Sequence, residues 1–367
     1  MSLALTIQTA EPPHVQIERF LRKQIQTGQL KPSARLPATT QLIRQWHVGP
    51  EAVHKAMTRL AAEGLIERSR KRGTFVKPAV KNAVIGILIG RSLTDETAHF
   101  HRALAESLRR EIAGLKDSQW TSRVYDGLYD PKNASSRQNL STDLENYTFK
   151  GFIQILRNPV PLKSLSLSKS LSSVRLGAPS QNPPADVVMS ENGFFYESIR
   201  FAAQKQLGPA VCLRLKNPDE KSADGLEGIE KARRDFNFHD ITLHDIHFSP
   251  AHLLDIEQAA YDKTMALAGQ WEAGNQRPGV LLVSDDMGMQ GVALALARKN
   301  VDVPGQLRVI VKANQGIVHH YGMPVMRYEY SPPLIAATLL QILRQKINAE
   351  SPANLPVEIT GGEGFAQ

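Results

Sequence analysis

Positively charged side chains are concentrated near the start of this 367-residue chain. Residues 12–82 contain fourteen Lys and Arg but four Asp and Glu, whereas residues 83–367 contain thirty and thirty-one. Such a surplus can neutralise the phosphates of a nucleic acid, while polar side chains beside it hydrogen-bond to base edges. The sequence therefore predicts a nucleic-acid-binding head joined to an almost neutral body.

The side chains of the head that can contact DNA fall into two chemical groups. Polar groups can read base edges, as when a glutamate accepts a hydrogen bond from the amino group of cytosine, and cations can hold phosphates. The candidates for base contacts are Thr40, Gln41, Glu51, His54 and Lys55, and those for phosphate contacts are Arg35, Arg59, Arg70, Lys71 and Arg72. The predicted DNA-binding surface also includes Thr39, Gly49, Ala52 and Gly73.

Three helices and a hairpin are needed to position these side chains, and the pattern of the head predicts them. The first predicted helix is His14–Thr27. The second is short, is capped by Thr39 or Thr40 and ends at Trp46. The third is Glu51–Glu63, and Pro50 stands at its first position. Two strands, Leu65–Arg68 and Gly73–Val76, enclose a basic tip. This order predicts a winged helix-turn-helix whose third helix enters the major groove.

The head resembles a known family of DNA-binding domains. Its Leu36-Pro37, Glu63-Gly64-Leu65-Ile66 and Gly73-Thr74-Phe75-Val76 lie at the spacing found in the GntR family of bacterial transcription regulators. The resemblance implies a double-stranded DNA operator. The family favours arginine where this chain has Pro50 and His54, so base contacts must come from other side chains.

In the body, buried strands alternate with amphipathic helices. The predicted strands include Val84–Ile89, Gly151–Leu156 and Ser173–Leu176 in a first half that helix Gly193–Gln206 completes. Ala210–Leu215 opens a second half, which continues through Val280–Ser284 and Leu307–Val311 to helix Pro332–Asn348. This alternation predicts parallel sheets in two lobes, with a ligand held where the strands end. The candidate effector-binding residues are Arg91, Ser92, His99, Arg157, Asp286 and Asn314.

The second half resembles the effector domain of the LacI/GalR family, which is itself similar to periplasmic sugar-binding proteins of type 1. The resemblance is carried by Pro278–Ile310 and, before it, by Val187–Gly193. It implies that Asp286 hydrogen-bonds ligand hydroxyls and that the effector is a small, sugar-like solute. The family's ligand-clamping arginine falls at Gly225, so the pocket is altered. A GntR head on a LacI-like body occurs among arabinose-responsive repressors.

These patterns predict a flexible N-terminus over 1–13, a winged helix-turn-helix domain over 14–77, a linker over 78–82 and a two-lobed α/β periplasmic-binding-protein-like domain over 83–367. No run approaches the roughly 20 apolar residues of a membrane helix, no signal peptide is evident and Cys212 stands alone, so we expect a cytoplasmic protein. Phosphate-loop, nucleophile-elbow and His-Glu-x-x-His motifs are absent, so we expect no enzyme, cofactor or metal site.

The sequence as a whole predicts a ligand-responsive transcription regulator. We expect a repressor that binds a pseudo-palindromic operator as a homodimer, since a two-fold dimer needs two-fold DNA. One alternative is a solute-binding or interaction protein that has lost specific DNA binding. A second alternative is an enzyme on a doubly wound fold.

Overall fold

The computed structural model describes residues 5, 7, 11–26, 29–31, 33–63, 65–69, 72–77, 83–115, 120–130, 133–156, 171–178, 184–216, 224–247, 253–350, 352 and 355–361. The predicted linker, most of the predicted N-terminal segment, and three candidate site residues, Arg70, Lys71 and Arg157, lie outside these ranges.

The head is a winged helix-turn-helix, as predicted. Its elements are α1 (Pro13–Gln26), α2 (Thr39–Trp46), α3 (Pro50–Ala62), β1 (Ile66–Ser69) and β2 (Gly73–Val76). The two strands pair antiparallel, and apolar residues of all three helices pack into one core that includes Ile17, Leu42, Met57 and Leu60. Pro50 occupies the first turn of α3, where its missing N–H leaves no hydrogen bond unmade.

The predicted cap of α2 is wrong. Thr39 begins the helix, Ala38 precedes it as the capping residue, and no side chain accepts a hydrogen bond from its first turn. Ala38 has a φ of −59° and a ψ of 145°, so the helix begins one residue earlier than a cap at Thr39 would require. The first N–H groups of α2 are therefore without a side-chain partner in the described residues.

The body contains, in chain order, β3 (Ala83–Ile89), α4 (His99–Ala113), β4 (Trp120–Tyr125), α5 (Ala134–Asn146), β5 (Phe149–Ile155), β6 (Ser172–Gly177), β7 (Val187–Met189), α6 (Asn192–Gln204), β8 (Ala210–Lys216), α7 (Leu226–Phe236), β9 (Ile241–His247), α8 (Leu253–Gly274), β10 (Val280–Val283), α9 (Met289–Arg298), β11 (Arg308–Asn314), β12 (Met326–Tyr330), α10 (Pro332–Ile347) and β13 (Val357–Ile359). A short 3-10 helix, Asp286–Gly288, lies between β10 and α9.

Two parallel sheets divide the body into two lobes. The first has the strand order β13-β7-β6-β5-β3-β4 and the second the order β12-β11-β10-β8-β9. β3 is buried along its whole length, and so is β10, because helices cover both faces of each sheet. The predicted two-lobed α/β fold is confirmed.

The assignment of helices to the lobes differs from the prediction. α6 packs against α7 and β10 and so belongs to the second lobe, although the sequence order placed it in the first. α10 packs against α4, β5 and β6, and β13 pairs with β7, so the end of the chain returns to the first lobe. The chain thus crosses between the lobes after β7 and again after β12.

A hydrogen-bonded hinge joins the two crossing segments. Tyr330 donates its hydroxyl to the carbonyl oxygen of Ser190 over 2.6 Å. The Ser190 hydroxyl and the Glu191 backbone N–H both donate to Oδ1 of Asp224, over 2.8 and 3.0 Å. Lys312 Nζ lies 3.0 Å from Glu191 Oε1, so β11 is tied to the same segment. This hinge lies where the strands of both sheets approach their carboxyl ends.

Candidate DNA-binding surface and interlobe cleft

An open groove of about 830 Å³ runs between the start of α2 and the wing. Of the predicted DNA-binding residues, Arg35, Thr39, Gln41 and Gly73 line it. The backbone of Arg35 bridges to Phe75 of the wing, and Gly73 has a φ of +102°. A Cβ atom at Gly73 would lie 3.0 Å from Nε of Arg35, so the glycine leaves room for this guanidinium beside the wing.

The solvent-facing side of α3 carries the predicted base-reading residues. Val53, Ala56, Met57 and Leu60 are buried against the head's core, and the opposite side exposes Glu51, His54 and Lys55. Thr40 is also exposed, on α2, while Gly49 precedes α3 and Ala52 is half-buried.

Arg68 is a cation of this surface that the sequence analysis missed. It lines the groove, and its Nη1 donates to the hydroxyl of Thr58 on α3 over 3.3 Å. Side chains two residues apart in a strand lie on the same face. Arg68 therefore shares a face with Ile66, which packs against the helices, and this pattern could have indicated its position. Arg72 is exposed near the wing tip, and its guanidinium lies 5.9 Å from the centre of the Phe75 ring.

Arg59 forms an ion pair within the head. Its Nη1 lies 3.4 Å from Oε2 of Glu18 on α1, and Glu18 also pairs with Arg22. Arg59 lies one turn or more beyond the exposed base-reading residues of α3 and does not line the groove. The ion pair joins α3 to α1, and the phosphate contact of Arg59 stays a prediction.

A cavity of about 390 Å³ lies between the two lobes of the body. Four of the predicted effector-binding residues line it: Arg91, His99, Asp286 and Asn314. They follow or end strands of both sheets, or begin the next helix, as expected for a ligand site at the carboxyl ends of parallel strands. Ser92 does not line the cavity, and its hydroxyl lies 2.8 Å from that of Thr94 and 3.4 Å from Oδ2 of Asp126.

The second lobe presents two adjacent carboxylates to this cavity. Asp285, which the sequence analysis left out, accepts a hydrogen bond from the backbone N–H of Met287 over 2.9 Å and so caps the 3-10 helix. Asp286 is 8% exposed, and its Oδ2 has no hydrogen-bond partner among the described residues. Burial, with the charge of Asp285 added, raises the pKa of Asp286 to about 7.

Three histidines surround the cavity, and His99 alone was predicted. His319 of the second lobe has its Nε2 3.8 Å from Oδ2 of Asp286, and its ring meets that of His99 from the first lobe edge to face at 5.7 Å. His101 has a buried Nδ1 without a partner in the described structure. Burial and the positive charge of Arg91 lower the pKa of His101 to about 4, so this imidazole is neutral at pH 7.

Replacing Asp286 with Asn is expected to stabilise the protein at high pH. The pKa of Asp286 is about 7 in the folded protein, compared with the ordinary value of 3.8 expected in the unfolded chain. Between these two pH values the folded state binds more protons than the unfolded state, so the stability of the protein falls as the pH rises from 3.8 to about 7. At pH 8 the penalty is complete, so Asp286→Asn should raise the free energy of unfolding by about 1 to 3 kcal/mol. Below pH 4 the two proteins should differ little. Urea unfolding at both pH values measures this, with the exposed Asp262→Asn as control. A variant that is less stable at pH 8 would contradict the burial of an unpaired charge.

Residues 13–76 match the family described as "Bacterial regulatory proteins, gntR family". The chain is 36% identical over 81 residues to the HTH-type transcriptional repressor NagR of Bacillus subtilis, which is 22% of this chain and 33% of that protein. It is 29% identical over 107 residues to the histidine utilization repressor of Pseudomonas aeruginosa, which is 28% of this chain and 42% of that one. The chain thus matches less than half the length of these curated relatives.

Solved structures resemble the body. A LacI family transcriptional regulator from Arthrobacter sp. FB24, in complex with lactose, has a TM-score of 0.56 at 14% identity and is covered over 98% of its length by 78% of this chain. A regulatory protein of the LacI family from Chloroflexus aggregans has a TM-score of 0.57 at 14% identity, with 77% of this chain covering 99% of it. At this identity the likeness establishes the fold.

Two kinds of feature are absent from the described residues. None of their helices is long and apolar enough to cross a membrane. Nor do three His, Cys, Asp or Glu side chains among them gather closely enough to hold a metal ion.

The family match and the similar solved structures show that the chain carries a GntR-family helix-turn-helix domain at residues 13–76, followed by a body with the two-lobed fold of LacI-family regulators.

Proposed function

We propose that this protein is a cytoplasmic transcription repressor that binds DNA through its head, over residues 14–77, and a small solute between the lobes of residues 83–367. This proposal rests on the presence of two separate sites in one chain, one in the head and one in the body. A GntR-family head exposes a basic groove and a polar helix face, and a LacI-like body encloses a cavity with an unsatisfied carboxylate.

In the proposed complex, α3 lies in the major groove of double-stranded DNA. Glu51, His54 and Lys55 on its exposed side contact base edges. Arg35 and Arg68, which line the groove, contact phosphates, with Arg70, Lys71 and Arg72 of the wing tip. The start of α2 lines the same groove, and the positive end of its helix dipole favours a phosphate there.

The proposed effector is a sugar-like solute held between the lobes. Support comes from the lactose bound to the Arthrobacter regulator of similar fold and from the unpartnered oxygen of Asp286, which can accept a hydroxyl donor. A solute that binds one arrangement of the lobes more tightly shifts the population toward it, and DNA affinity changes by that difference. His99 and His319, which meet across the cleft, would move apart or together with the lobes.

We propose further that the protein acts as a homodimer. Leu294 on α9 is 61% exposed, and Val318 in the loop after β11 is 72% exposed, so the second lobe presents large apolar side chains to solvent. Burying them against a second copy would give two heads related by a two-fold axis.

Selection of bound DNA from a random-sequence pool tests this function. The full-length protein should enrich pseudo-palindromic sequences, with half-sites about one helical turn apart. Glu51→Ala should change the enriched bases, whereas Arg35→Ala should weaken binding to all sequences alike, because one side chain reads bases and the other holds a phosphate. A selection without any enriched sequence would contradict a sequence-specific regulator.

The replacement of two family arginines by Pro50 and His54 favours one other function. A protein that kept the body's solute site but lost specific DNA binding would bind solutes in a thermal-shift assay and enrich no DNA sequence. The same selection therefore separates the two proposals.

A further inference from the structure

The cations at the cleft are already matched by groups of the protein itself. In the first lobe, Nε of Arg91 lies 3.3 Å from Oδ2 of Asp95. Nη1 of Arg102 donates to the carbonyl oxygens of Leu93 and Asp95, over 2.9 and 2.8 Å. Arg91 is therefore paired with a carboxylate, and Arg102, whose Nη1 is held by these two carbonyl oxygens, does not line the cavity.

The cations of the second lobe are matched in the same way. Lys312 pairs with Glu191 at 3.0 Å. Arg327 pairs with Glu329 at 2.9 Å and donates to the carbonyl oxygens of Asn314 and Ile317. Among the described residues that line the cavity, Asp285 and Asp286 are the acidic side chains that form no ion pair with a Lys or Arg, although the charge of Lys312 acts on both from farther away.

The unpartnered oxygen of Asp286 marks the place where a ligand group is missing. It is buried, yet its nearest basic neighbour is Nε2 of His319 at 3.8 Å, which is too long for a hydrogen bond. Burial, together with the neighbouring His99, lowers the pKa of His319, so this imidazole is a poor counterion at neutral pH. His319 therefore stands beside the carboxylate without satisfying it.

The opposite wall of the cavity contains an apolar patch beside its polar residues Arg91, Thr97, His99 and His101. Phe100, Ile155, Leu156, Leu176 and Met189 of the first lobe line it. A ligand that fills this space needs an apolar surface at one side and a hydrogen-bond donor at the other. Free hydroxyls all round its ring would be left against apolar side chains, at a cost for each unpaired group.

We propose that the effector is a small primary amine with an apolar body, whose ammonium group binds Asp286 in the place that His319 now borders. This inference rests on the proposed function of the cleft as the effector site, and it replaces the sugar-like solute that the fold suggests with a different ligand class. A hydroxyl would satisfy the orphan oxygen but would bring no positive charge to the two adjacent carboxylates. An ammonium group supplies both the donor and the charge, and charge-assisted hydrogen bonds are about twice as strong as neutral ones.

The test compares amines with alcohols of the same shape. Full-length protein is titrated with phenethylamine and 2-phenylethanol, with cyclohexylmethylamine and cyclohexylmethanol, and with glucosamine and glucose, by thermal shift and calorimetry at millimolar concentration. We expect an apolar amine to raise the melting temperature and its alcohol partner to leave it unchanged. Asp286→Asn should weaken amine binding by about tenfold or more, whereas Asp262→Asn, on the exposed side of α8, should bind like the parent.

His319→Ala separates displacement from direct contact. Since the ammonium group would no longer have to move the imidazole, this variant should bind the amine at least as tightly as the parent. Stabilisation by glucose or the alcohols with none by the amines would overturn the proposal, and so would the absence of binding by every amine. A DNA selection run in parallel distinguishes the two failures, because enriched operators without amine binding reject the ligand class alone, whereas no enrichment rejects the proposed regulator.

Discussion

Replacing Lys312 with Met is expected to lower the free energy of unfolding by about 3 kcal/mol. Its ammonium group pairs with Glu191 at the crossing between the lobes, and the two side chains are 22% and 15% exposed. Burial works against the charged amine, but the carboxylates of Glu191 and Asp285 outweigh it and raise the pKa of Lys312. Methionine would leave Glu191 buried without its counterion, which costs more than the pair itself is worth.

A second ion pair of the same lobe provides the matched control. Lys299 lies 2.8 Å from Glu272, but this pair is at the surface, so Lys299→Met should cost less than about 1 kcal/mol. Adding Glu191→Gln to Lys312→Met should recover much of the loss, because it removes the stranded charge. Urea unfolding of the four proteins at pH 7 measures these differences. Equal losses for Lys312→Met and Lys299→Met would show that the hinge pair is no more important than a surface pair.

The head could be predicted almost completely from the sequence because its signals are local. Apolar residues recur at helical spacing in α1 and α3, Pro50 marks the start of α3, and Gly73 opens the second strand of the wing. The cap of α2 was wrong because Thr39 and Thr40 both have capping chemistry, and the extended Ala38 after Pro37 decides where the helix begins. The ion pair of Arg59 with Glu18 could not be predicted, because the two residues are 41 positions apart in sequence.

The two-lobed fold of the body was predicted, but α6 and α10 were assigned to the wrong lobes. Alternating strands and helices indicate parallel sheets. No local pattern, however, shows that α6 and α10 each pack in the lobe opposite to the strand that precedes them. β13 has three residues, and its pairing with β7 joins segments about 170 positions apart. Such pairings depend on the three-dimensional path of the chain.

The cleft shows the same division between local and distant information. Asp286 could be predicted because it follows a buried strand directly, and Asn314 because it ends the next strand in the chain. His319 could not, since its contacts with Asp286 and with His99 of the other lobe exist only after the lobes assemble. Asp285 could have been predicted from the sequence, because it is the acidic residue next to Asp286 and its charge raises the pKa of Asp286.

The most direct test of the account is the salt dependence of DNA binding by the full-length protein, measured by fluorescence anisotropy on a selected operator duplex. If each head of a dimer neutralises three or four phosphates, affinity should fall by about three to four orders of magnitude between about 50 and about 200 mM salt. Arg35→Ala should make the log–log slope shallower by about one for each head, whereas Arg110→Ala, on an exposed face of α4, should leave it unchanged. A nearly flat salt dependence, or a slope that Arg35→Ala does not alter, would contradict DNA recognition by the basic groove of the head.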